Sequence, residues 1–82
     1  MNKFNYHCCL RFGSISYAEN EICLEAIKNF LKSFHCNSYE IEDLGGFYEI
    51  EINYENIHKQ KVLRFSEALI YFSLFHRIQI IE

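Results

Sequence analysis

Proline and tryptophan are absent from the 82-residue chain, and glycine occurs three times. So little chain-breaking composition leaves no flexible linker or low-complexity tail, and residues 1–82 read as a single α+β domain. No apolar run approaches the ~20 residues that a membrane helix needs; the longest, Ala68 to Phe75, is interrupted by Ser73. No basic segment followed by an apolar one opens the chain, so no secretory signal is expected. No Gly-x-x-x-x-Gly-Lys or Gly-x-Gly-x-x-Gly pattern is present, which excludes the phosphate-cradling loops built on those motifs. Nor do Cys8, Cys9, Cys23 and Cys36 offer Cys-x-x-Cys spacing or paired histidines, so no zinc site is expected. Cys8 and Cys9 are adjacent and would point to opposite faces of a strand, a poor start for a disulfide framework. The thiols read as reduced and the protein as intracellular, in the cytoplasm.

What the chain has in quantity is aromatic and aliphatic side chains. Eight Phe and six Tyr stand in a composition that is 50% hydrophobic and 23% charged, which excludes disorder. A domain of this size buries only about 60% of the surface of its unfolded chain, so large rings must carry the core.

Phe4 to Phe12 alternates, with Phe4, Tyr6, Cys8, Leu10 and Phe12 on one face and Asn5, His7, Cys9 and Arg11 on the other. That is the pattern of a half-buried strand ended by Gly13. Ser16-Tyr17-Ala18-Glu19 fits a capping box. Ile22, Ala26, Ile27, Phe30, Leu31 and Phe34 follow at helical spacing, predicting a helix over 17–35. A strand is expected over 38–44, a two-residue turn at Gly45-Gly46, and a return strand over 47–54. Tyr39, Ile41, Tyr48, Ile50, Ile52 and Tyr54 would face inward.

The last third supports two readings. In the favoured one, Lys59 to Phe65 is a strand and Ser66 caps a C-terminal helix running to about Ile80, giving the order βαβββα. In the other, residues 57–75 form one helix and Arg77 to Ile81 a final strand, giving the ferredoxin-like order βαββαβ. The second needs a helix to stop near His76 without Gly, Asn or Pro. Either is a two-layer sandwich with two helices on one face of an antiparallel sheet.

Charge is distributed unevenly. Between Lys32 and Lys59 there is no Lys or Arg, while Glu40, Glu42, Asp43, Glu49, Glu51 and Glu55 all fall there. The hairpin would place Glu40 and Glu42 beside Glu49 and Glu51 on one open face, with Arg11, His7 and Arg64 as partial neutralisers. Close like charges cost stability, and a basic partner surface would offset them. Glu40, Glu42, Asp43, Glu49 and Glu51 are therefore the candidate partner-binding residues. A second apolar stripe near the C-terminus, Ile70, Tyr71, Leu74 and Ile78, exceeds what one helix packed on one sheet needs and predicts a homodimer or partner interface.

His7, Cys9 and a neighbouring Glu49 or Glu51 could form a nucleophilic set, but nothing supplies an oxyanion hole, so no catalytic residue is assigned. No metal or cofactor is expected. The segment Lys59-Gln60-Lys61-Val62-Leu63-Arg64 is basic and defines an alternative, a small nucleic-acid-binding domain. Against that alternative stand the net charge of −3 and the shortage of outward aromatics for base stacking, Phe47 alone.

In size and charge the chain resembles phage-borne inhibitors, immunity proteins and antitoxins. No motif carries the likeness, so no residue role follows from it. The expectation is a non-enzymatic protein-binding module, an inhibitor or regulator that docks an acidic face on a basic site of a nucleic-acid-handling protein. Counting thiols in denaturant without reductant should give four per chain; a lower count in freshly prepared protein would refute the intracellular reading.

Overall fold

The structure is a computed structural model that describes residues 3–13 and 17–81. Six elements follow one another: β1 (Phe4–Phe12), α1 (Tyr17–Ser33), β2 (Tyr39–Asp43), β3 (Tyr48–Ile57), α2 (Lys59–His76) and β4 (Gln79–Ile81). The four strands form one antiparallel open sheet in the order β2-β3-β1-β4. The α+β class is as expected. Ser16 of the expected capping box lies outside the described residues.

Alternation along the central strands fixes the layers. Cys8 pairs with Ile52, Leu10 with Ile50 and Phe12 with Tyr48. These side chains share a core with Ile27 and Leu31 of α1 and Phe65 and Leu69 of α2, so both helices cover the same sheet face. At the centre lies Phe65, wholly buried. Its ring centroid is 5.4 Å from that of Tyr6, 4.9 Å from Tyr54, 5.7 Å from Phe30 and 5.2 Å from Phe34. The Tyr54 hydroxyl donates to the Phe34 carbonyl, tying β3 to the end of α1.

The hairpin between β2 and β3 turns through Gly45-Gly46, with Leu44 N–H donating to the Phe47 carbonyl at 2.9 Å. Gly45 has φ 78°, a conformation glycine adopts without steric penalty. The Asp43 carboxylate accepts the Gly45 N–H at 3.0 Å, an Asx turn that steadies the bend. Gly13, at the end of β1, approaches this turn so closely that a Cβ there would lie 2.8 Å from the Gly46 oxygen.

The favoured order βαβββα is corrected. Lys59 to Phe65 is the start of α2, and Ser66 lies inside that helix with its hydroxyl donating to the Leu63 carbonyl. The observed succession is β-α-β-β-α-β, with α2 and β4 displaced by a residue or two from the bounds of the second reading. The helix wins because its period buries Phe65, Leu69 and Ser73 along one line. Read as a strand, the same segment would have no such continuation.

The missing stop signal at His76 is supplied by Arg77 itself. Arg77 takes the left-handed conformation, φ 57° and ψ 44°, and the Ile78 N–H returns to the Ser73 carbonyl at 2.8 Å. This is a Schellman ending built without glycine. The cost of about 1–2 kcal/mol for a non-glycine residue there is offset by burial of Ile78 and by pairing of β4 with β1. The end of α1 is built alike. His35 has φ 58°, its N–H donates to the Lys32 carbonyl, and Cys36 N–H donates to the Leu31 carbonyl. Cys36, like Ile78, is buried just past the turn.

The start of α2 is less well made. His58 sits at the N-cap in extended conformation, its side chain makes no capping bond, and the first turn holds no acid. An aspartate there would accept a first-turn N–H and place negative charge at the positive helix end. His58→Asp should raise stability by about 0.5–2 kcal/mol. Urea denaturation at neutral pH measures it; an unchanged or lowered midpoint would refute this account of the cap.

Candidate functional site

The sheet face turned away from the helices is the site's foundation. Two rows of side chains cross it. In one, Glu42 of β2 stands opposite Glu49 of β3, which stands opposite Arg11 of β1 and then Gln79 of β4. In the other, Glu40 is opposite Glu51, then Cys9, then Ile81. His7 and Asn53 begin a third. The four glutamates of the hairpin are thus direct cross-strand neighbours in two pairs. Glu40, Glu42, Glu49 and Glu51, together with Ile41, line one shallow depression.

The carboxylates are unequally compensated. Arg11 Nε donates to Glu49 Oε2 at 2.9 Å, and the same guanidinium lies 5.1 Å over the Phe47 ring. Stacking and a forked contact on one carboxylate hold the arginine in place. His7 Nε2 is 4.0 Å from Glu51 Oε2, at the limit of an ion pair and well exposed. Among the described residues neither Glu40 nor Glu42 has an ion-pair partner. Exposed pairs of this kind contribute about 0–1 kcal/mol each, so the face keeps a net negative field. Arg64, expected as a neutraliser, stands on α2 and not on a strand. Asp43 is in register with Tyr48 and accepts the Gly45 N–H, so it belongs to the turn and to the other face.

Cys9 lies between these charges. Burial pushes its thiol above the ordinary value, Glu49 and Glu51 push the same way, and Arg11 opposes them. A thiolate nucleophile needs the reverse environment. Among the described residues no disulfide joins Cys8, Cys9, Cys23 or Cys36. Among the described residues no group of three or more His, Cys, Asp and Glu side chains could hold a metal ion.

The apolar residues of α2 form a second surface. Ile70, Tyr71 and Leu74 are exposed, Leu74 to 73%. Ile78 is not with them: it is 7% exposed and belongs to the core, because the helix has ended before it. Two further residues join the stripe, Leu63 at 57% and Phe75 at 82% exposure. Phe75 lies about 120° around the helix from Leu69, away from the buried line of Phe65, Leu69 and Ser73. A third region gathers His35, His58, Gln60, Lys61 and Arg64 around a crevice between the end of α1 and the start of α2. Lys61 Nζ lies 5.8 Å over the Tyr54 ring.

No helix among the described residues is long and apolar enough to cross a membrane. No protein-family model matches the chain, and no curated protein matches it in sequence.

The electrostatics of Cys9 predict its reactivity. Glu49→Gln with Glu51→Gln removes the charges that hold the thiol protonated, so alkylation of Cys9 at pH 8 should speed up severalfold. The rate is read against a Cys9→Ser control; an unchanged or slower rate would show that burial alone governs the thiol.

Proposed function

We propose that the chain is a non-enzymatic protein-binding module that docks its uncovered acidic sheet face on a basic site of another protein. The observation that carries this reading is the arrangement of Glu40 against Glu51 and Glu42 against Glu49, with two of the four lacking a cation partner among the described residues. Such a face speeds encounter with a positive surface and rejects negative ones. Proteins that handle nucleic acids carry basic surfaces of this kind, so an inhibitor or regulator of one of them is the favoured role. The exposed stripe Leu63, Ile70, Tyr71 and Leu74 on α2 supports a second contact, by which two copies would form a homodimer.

The β-α-β-β-α-β succession is that of the ferredoxin-like motif, a frame that RNA-recognition modules also use. Those modules stack bases on outward aromatics of the two central strands. Here the corresponding outward positions hold His7, Cys9, Arg11, Glu49, Glu51 and Asn53, which favours a protein partner. The alternative, nucleic-acid binding through Lys59, Lys61 and Arg64, draws on the crevice at the start of α2 and would show itself by retention on heparin.

The test uses the partner captured from the host. Changing Glu40, Glu42, Glu49 and Glu51 together to Gln should lower the association rate at about 0.05 M salt by tenfold or more, and raising salt to about 0.5 M should lower the wild-type rate towards that of the variant. Melting temperature, measured alongside, separates lost binding from lost folding. Equal rates in all four conditions would remove the acidic face as the docking surface.

A further inference from the structure

Among the described residues β2 has one neighbour, β3, and its other side is the open edge of the sheet. Two hydrogen bonds fix which of its residues face that edge. Asn53 N–H donates to the Ser38 carbonyl and Leu44 N–H to the Phe47 carbonyl, each at 2.9 Å. Antiparallel pairs alternate between hydrogen-bonded and non-hydrogen-bonded. Ser38 and Leu44 belong to the first kind, and so do Glu40 and Glu42 between them. Tyr39, Ile41 and Asp43 therefore turn their backbone N–H and C=O groups outward to the edge.

The side chains divide the same way. Tyr39 and Ile41 are in register with Ile52 and Ile50, on the helix side of the sheet. Ile41 is exposed at 36%, because among the described residues no further strand or helix covers it. Glu40 and Glu42 project from the opposite face, without ion-pair partners among the described residues. The edge thus offers a backbone ladder with an apolar contact on one side and two free carboxylates on the other.

We infer that this edge is completed by an extended segment of the partner protein in which lysine or arginine alternates with apolar residues. Its backbone bonds to Tyr39, Ile41 and Asp43, its apolar side chains cover Ile41, and its cations meet Glu40 and Glu42. Strand addition of this kind draws affinity from the main chain and specificity from alternate side chains. A second copy of this chain is a poor occupant, since antiparallel β2 strands would set their glutamates against each other. The inference rests on the acidic-face reading and adds to it the mode of contact.

The probe is an eight-residue peptide alternating lysine and valine, with a glutamate-valine peptide as control, at about 0.05 M salt. Bound lysine peptide should slow hydrogen exchange at the Tyr39, Ile41 and Asp43 amides by about tenfold or more. Ile41→Pro removes the central edge donor without breaking a bond to β3, and it should weaken the peptide by about tenfold or more with the melting temperature held. Should that variant fail to fold, N-methylation of the edge-facing amides of the peptide makes the same test on the wild-type protein, and it should abolish binding.

Equal affinity of the methylated and unmethylated peptides, without amide protection, would overturn strand addition while leaving the acidic face as a docking surface. No binding of the lysine peptide would also overturn it, and the acidic face would still be judged by the on-rate of the captured partner. Protection of the three amides in peptide-free protein, rising with protein concentration, would mean that a second copy fills the edge and would overturn it as well.

Discussion

The packing of Phe65 is the contact on which the other parts depend. Its ring touches β1 through Tyr6, β3 through Tyr54 and α1 through Phe30 and Phe34, while its own backbone belongs to α2. In so thin a domain no second layer could replace it, and truncating such a ring costs about 3–5 kcal/mol, a large part of the stability typical of a small protein. Edge-to-face geometry with Tyr6, Tyr54 and Phe34 adds direction to the burial. It sets where α2 lies, and through α2 where Ile78 and β4 meet β1.

One-sided packing has a consequence for the rest of the surface. Both helices are committed to the face of Cys8, Leu10, Ile50 and Ile52, so the reverse face meets solvent and is free of any duty to the core. Glutamates can be placed there at small cost. The cross-strand pairs Glu40–Glu51 and Glu42–Glu49 also fall at hydrogen-bonded positions, where the strands' Cα atoms stand about 5.5 Å apart rather than the ~4.5 Å of the closer pairs. The chain keeps its like charges adjacent but at the wider spacing, and Arg11 with His7 moderates the half nearest β1.

Period-two patterning makes β1, the hairpin and the inward set from Tyr48 to Tyr54 legible in the amino-acid order, as period 3.6 does for α1. The acidic face follows from the hairpin register and needs no tertiary information. The last third resists because its helix ends on Arg77 in a left-handed conformation, and an arginine carries no local mark of that role. The i, i+4 line of Phe65, Leu69 and Ser73 is the usable signal, but the hydroxyl of Ser66 offers a competing start. Ile78 reads as part of the exposed stripe because a helix running to about Ile80 would carry it there; the helix ends at His76, and Ile78 turns into the core instead. Exposure of Ile41 is beyond the reach of patterning, since only the strand order reveals that β2 is an edge.

The strand order also dictates when this chain can fold. β1 pairs with β3 and β4, and β2 pairs with β3. Cut at Gly45-Gly46, the molecule gives two β-α-β halves, and neither contains a strand pairing of its own. During synthesis β1 would emerge first and wait for a partner until Tyr48 to Ile57 had been delivered, leaving Cys8, Leu10 and Phe12 covered by nothing but α1. Contacts so distant in sequence slow folding relative to a helical bundle of the same length. The nascent first half is therefore the stage at which this protein most needs protection, and Glu49 and Glu51 arrive only as that need ends.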